Sequence, residues 1–256
     1  MVLKWVKRLK WMRISKYALI ITLLLSLVFA GFTVYGTRTG NFTIYLHGND
    51  VQLAIYMKED KSDMNTRLTV PTLDEMDNTT FEDIAAPDVR ELIAPGLGSK
   101  NDNFHQQYLA FSFVLVNRSE RMVNYDLDLT VVSQREGFGG INVVEAMRVL
   151  IIKEWHYEEG PVYESLTTEA QRDEYFRGGN FYALADDNRA ELEANTHYQT
   201  EDFLSTVQLL REKEYDLEIN AEVKYTVVIW LEGWDADCVN ALYGGRLKMR
   251  LDITGR

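Results

Sequence analysis

The segment Trp230-Leu-Glu-Gly-Trp-Asp-Ala-Asp-Cys238 gathers three carboxylates, Glu232, Asp235 and Asp237, with Asn240 just beyond. Closely spaced hard oxygens on a bent loop are what Ca2+ requires, since it takes roughly six to eight oxygen ligands. Glu232, Asp235, Asp237 and Asn240 are therefore candidate Ca2+ ligands. They lack the full EF-hand spacing and its closing Glu. A tight turn explains the same residues. Gly233 permits the bend, Asp235 or Asp237 caps a short helix through Ala241, and Gly244-Gly245 ends it.

Other chemistry finds little support. The four histidines are His47, His105, His156 and His197. None stands in an H-E-x-x-H pattern, which sets two imidazoles on one helix face for zinc. His156 precedes Glu158 and Glu159, but an exposed polar turn accounts for that cluster equally well. There is no G-x-S-x-G nucleophile elbow and no glycine-rich phosphate loop. The single cysteine, Cys238, stands among Asp235, Asp237 and Asn240. Negative charge there raises a thiol pKa and suppresses the reactive thiolate. The expectation is a protein without catalysis and without a cofactor, Ca2+ aside.

The elements that would position these residues are strands. Val123, Tyr125, Leu127, Leu129 and Val131 alternate with Asn124, Asp126, Asp128 and Thr130. Period two separates these sets onto two faces of a strand, which no helix does. Leu109, Phe111, Phe113 and Leu115 alternate in the preceding run, and the polar stretch 117–121 lies between, so a β-hairpin is expected. The same pattern recurs at Phe42–Leu46, Val51–Met57, Val223–Leu231 and Leu247–Ile253, with a dense apolar run at Met147–Lys153. Seven or so strands joined by polar turns imply a mainly β fold, a jelly-roll-like antiparallel β-sandwich. Residues 72–103 follow Pro71, carry Pro87 and Pro95 and little periodicity, and read as a long loop with one helical turn. Residues 157–202 read as an α-rich insertion, with helices at Glu169–Arg177, capped by Thr168, and at Asp187–Ala194.

The N-terminus points to a membrane. Six basic residues lie within residues 1–16, and the first acidic residue of the chain is Asp50. The run Tyr17–Tyr35 has no charge. As a helix it would span about 28 Å, close to a bilayer core. The positive-inside bias keeps residues 1–16 cytoplasmic and exports residues 37–256 as one domain. The run is either an uncleaved signal anchor or a signal peptide cut before Gly31, and the long basic region and full-length apolar run favour the anchor. Cut, the domain would be secreted. Net charge is −12 even though residues 1–16 carry six basic and no acidic side chains, so the exported part is strongly acidic. That argues against nucleic acid as a partner.

Gly40-Asn-Phe-Thr-Ile44 after the apolar run, Phe113-Val-Leu-Val-Asn117-Arg-Ser119 leading to Val123-Asn-Tyr125, Val144–Val149, and Tyr225–Asp237 followed by Gly244-Gly245 together resemble the TasA/camelysin family of exported β-sandwich proteins of Gram-positive bacteria. The insertion 157–202 has no counterpart there. The resemblance implies a non-catalytic cell-surface or biofilm-matrix protein, with self-association by strand addition in some members. The donor would be the strand Asn41, Phe42, Thr43, Ile44, Tyr45 and Leu46. Backbone hydrogen bonds supply affinity in that mode, and alternate side chains supply register. The alternative the resemblance carries is a metal-dependent peptidase of the camelysin type.

Overall fold

Alternation becomes strand wherever one face can be buried. The computed structural model describes residues 42–48, 51–58, 60–70, 76–85, 96–98, 101–102, 105–155, 178–185 and 200–256, with Thr22 and Ser26. The strands are β1 (Phe42–His47), β2 (Leu53–Tyr56), β3 (Arg67–Val70), β4 (Gly96–Gly98), β5 (Asn101–Asp102), β6 (His105–Gln106), β7 (Tyr108–Asn117), β8 (Val123–Arg135), β9 (Met147–Trp155), β10 (Asn180–Ala183), β11 (Thr200–Asp202), β12 (Gln208–Leu217), β13 (Glu222–Leu231) and β14 (Arg246–Gly255). Short helices α1 (Phe81–Ala85) and α2 (Val143–Ala146) and a 3-10 turn at Asn240–Leu242 complete the described elements.

The chain divides into two units, Met1–Gly40 and Asn41–Arg256. In the first, Thr22 and Ser26 are helical and exposed. The rest of the expected membrane run 17–35 lies outside the described residues. Among the described residues no helix is long and apolar enough to cross a membrane.

The second unit is mainly β. One sheet has the order β12-β8-β14-β1-β3, and a larger one the order β11-β10-β9-β13-β7-β2, with β4 also on β7. Phe42, Ile44, Leu127, Leu129, Leu251 and Ile253 of the first share one core with Phe111, Phe113, Val149, Ile151, Val227 and Ile229 of the second. The rings of Phe42 and Phe111 meet across the sheets at 4.5 Å. Each such side chain contributes about 1.5–3 kcal/mol on leaving water. This arrangement is consistent with a β-sandwich. The larger sheet is buried on its outer face too. There Leu150, Ile152, Phe181, Val228 and Trp230 pack under Phe81 and Ile84 of α1. Thr80 starts that helix, its hydroxyl accepting from the Asp83 amide at 3.3 Å.

Three expectations need correction. The sheets are mixed, not purely antiparallel: β1 runs parallel to β14, and β10 parallel to β11. Parallel neighbours need a long crossover. For β1 and β14 the whole intervening domain serves as that crossover. Second, β7 and β8 do not form a hairpin. They lie in opposite sheets, and the chain crosses between them at residues 118–122. Buried Asn117 holds that corner: its amide nitrogen donates to the carbonyls of Arg121, Leu217 and Glu218, and its oxygen accepts from the Ser119 amide. Third, the described parts of the expected α-rich insertion 157–202 are strands, β10 and β11, because Phe181, Tyr182 and Ala183 are buried along β9. The expected helices Glu169–Arg177 and Asp187–Ala194 lie outside the described residues.

Candidate functional site

Strand β13 delivers Trp230 and Glu232 into a tight turn. Thr79 clamps its start: the Thr79 amide donates to the Leu231 carbonyl at 3.0 Å, and the Gly233 amide donates to the Thr79 carbonyl at 2.8 Å. The turn then winds inward. The Asp235 amide donates to the Glu232 carbonyl, and the Cys238 amide to the Asp235 carbonyl, at 3.1 and 3.0 Å.

Two carboxylates of this turn, Glu232 and Asp235, are engaged by protein groups. Glu232 is buried and accepts from the Trp230 indole at 3.0 Å and from the Trp234 amide at 3.4 Å. One oxygen of Asp235 lies 2.5 Å from a guanidinium nitrogen of Arg148, and the other accepts from the Asp237 amide at 2.9 Å. Arg148 comes from the second position of β9 and also donates to the Met147 carbonyl at 3.2 Å. Asp237 is half-buried, and exposed Asn240 opens the 3-10 turn. That turn has Val239 at its cap with no side-chain bond, so neither Asp235 nor Asp237 caps it. The four candidate Ca2+ ligands therefore share a turn, but the oxygens of Glu232 and Asp235 point at Trp230 and Arg148. Among the described residues no three His, Cys, Asp or Glu side chains are grouped to hold a metal ion.

Burial pushes the Cys238 thiol pKa up, and the nearby Asp235 and Glu232 charges add to this, against opposing effects of Asn78 and Arg148. The thiol therefore stays protonated at neutral pH. His47 is exposed and pairs with Asp252 at 2.8 Å. His156 and His197 lie outside the described residues.

The strand-exchange candidate sits inside its own sheet. Phe42, Thr43 and Ile44 are buried, with Tyr45 and Leu46 half-buried. Phe42 pairs with Met249 on one side and Val70 on the other, and Ile44 with Leu251 and Leu68. Arg67 lies over the Tyr45 ring at 5.0 Å. Asn41 lies outside the described residues.

Sequence reasoning missed a polar seam between the two sheets. Edge strand β12 turns Glu212 and Glu214 inward. Glu212 meets the Tyr182 hydroxyl and the Asn180 amide, and Glu214 meets Lys153 and the Tyr225 hydroxyl. Tyr225 and Tyr125 share a hydrogen bond of 2.5 Å. Burial raises the pKa of all three tyrosines; the Glu212 charge pushes each the same way, and Glu214 does so for Tyr125 and Tyr225. A second buried pair, Lys224–Glu154 at 2.5 Å, lies on the larger sheet. Burial lowers the Lys224 pKa, with Glu154 opposing. Inward charges on an edge strand discourage pairing with another chain, a protective role. Arg148 was also missed. The available signal was a lone arginine inside the apolar run Met147–Ile152.

Comparison with family models, with curated proteins and with solved structures returns no match.

Proposed function

We propose that the chain is a non-catalytic cell-surface structural or interaction protein. In this reading residues 17–35 hold it in the membrane as a signal anchor, residues 1–16 stay in the cytoplasm, and a jelly-roll-like sandwich is displayed outside. The observation that carries the reading is the seat of β1. The first strand after the apolar run is internal, hydrogen-bonded on one side to β14 and on the other to β3. A strand seated this way ties the start of the domain into its core. The basic residues before the apolar run support the orientation.

External protease applied to intact cells tests this. The sandwich should be cut away while an N-terminal epitope stays with the membrane. Protection of the sandwich in intact cells would reverse the topology.

A matrix subunit that polymerises by strand addition is the second reading. It is favoured by one feature: β1 joins the sheet through continuous backbone ladders on both edges, so the same strand of another copy could take its seat. It requires removal of residues 1–30.

A further inference from the structure

Three segments meet at one end of the sandwich. Residues 136–146 connect β8 to β9, residues 232–245 connect β13 to β14, and the chain enters β1 there. The parallel register fixes the last point: Phe42 pairs with Met249, three residues past the start of β14. The two connections are tied together. The Phe138 amide donates to the Tyr243 carbonyl at 2.9 Å and the Gly139 amide to the Ala241 carbonyl at 3.0 Å. Arg135 donates twice to the Gly244 carbonyl, at 3.2 and 2.6 Å.

This end exposes large aromatic side chains on a braced backbone. Phe138 is 85% exposed, Tyr243 74% and Trp234 53%. The Phe138 ring lies over Gly244, whose φ of +81° favours glycine. The bonds place the backbone, yet the rings face outward. Beside them Arg135 and Arg246 stand directly opposite each other on neighbouring strands, both exposed. Like charges in that position repel. The pairing is notable in a domain that is otherwise strongly acidic. Exposed aromatics beside cations suit an interface that is partly apolar and negatively charged.

Chain length says which interface. Only residues 36–41 separate the apolar run from β1. Six residues reach no more than about 20 Å even when fully extended. If residues 17–35 cross a bilayer, this end of the sandwich remains within that distance of its surface. We propose that Phe138, Tyr243 and Trp234 dip into the headgroup region of that bilayer, with Arg135 and Arg246 on anionic lipid phosphates. The proposal rests on the tether reading above. The domain would then sit upright on the membrane and present its opposite end, the turns 117–122 and 216–222, to the outside.

The test uses the full chain in vesicles containing phosphatidylglycerol. Cys238→Ser removes the native thiol, and an environment-sensitive fluorophore is attached through Tyr243→Cys or, in a second sample, Ile219→Cys at the opposite end. The expected result is blue-shifted emission at position 243, quenched by headgroup-proximal spin-labelled lipid, with aqueous emission at 219. Arg135→Gln with Arg246→Gln should reduce that quenching. Protein that floats with the vesicles but reports water at 243 overturns the docking and leaves the tether standing. Protein that does not float overturns both.

Discussion

Arg148 and Asp235 form an ion pair of 2.5 Å, with side chains only 1% and 2% exposed, between the start of β9 and the turn that follows β13. The pair joins two residues 87 positions apart. It decides how the acidic turn is to be read, because it turns the best candidate metal ligand into the partner of a buried cation.

Removing either member should leave an uncompensated buried charge. Asp235→Asn or Arg148→Met is expected to cost about 3–5 kcal/mol. The joint replacement Arg148→Met with Asp235→Leu should cost markedly less than the two single costs added together. Urea denaturation of the three variants measures this. Single variants at wild-type stability would show that the pair carries no such role.

Calcium should not stabilise the fold through this turn. A site with calcium at a hundredfold excess over its Kd would add about 2.7 kcal/mol. Melting curves in excess Ca2+ and in chelator are expected to superimpose. A rise in Tm with Ca2+, lost in Asp237→Asn, would restore the metal reading.

Alkaline pH should destabilise the domain. Tyr125, Tyr182 and Tyr225 have pKa values raised above the ordinary value near 10. Their protonated, buried forms stabilise the folded state fully below the unfolded pKa. That contribution is lost as pH rises past about 10, where the unfolded chain gives up protons that the folded one keeps. Lys224 acts the opposite way, since its lowered pKa makes stability rise with pH below the ordinary lysine value. Denaturant midpoints should therefore hold or rise up to about pH 10, where only Lys224 acts, and fall above it as the unfolded tyrosines ionise, and Tyr182→Phe should flatten that fall. A midpoint that does not fall above about pH 10 contradicts the buried seam.

Asn117→Ala should weaken the corner between β7 and β8. It strips the side-chain bonds to three carbonyls, of which that of buried Leu217 is left without this donor away from water, at a cost of about 1–3 kcal/mol for a buried group left unpaired. Chemical denaturation provides the reading. A loss below about 0.5 kcal/mol would place the corner's stability elsewhere.

β1, β2, β7, β8, β13 and β14 were legible through their period-two signal, and β9 through its dense apolar run. β3 and β10, four residues each, are too short to show a period although Leu68, Val70 and Tyr182 reach the core. β12 was not legible, because its inward positions after Leu210 are Glu212 and Glu214 and hydrophobic alternation stops there. Pairing was not legible either. Alternation states which face a residue takes but not which strand lies beside it, so the crossing at Asn117 looked the same as a hairpin. The carboxylates of 232–237 were visible, but their orientation was not. Arg148, the group that turns Asp235 inward, is distant in sequence, and a lone arginine in an apolar run does not say which carboxylate it meets.

The intact mass of the protein isolated from its native membranes tests the central claim most directly. The account expects the mass of a chain that keeps residues 1–30, with β1 tethered in place. A chain beginning near Gly31 would contradict the tether and favour the released, polymerising form.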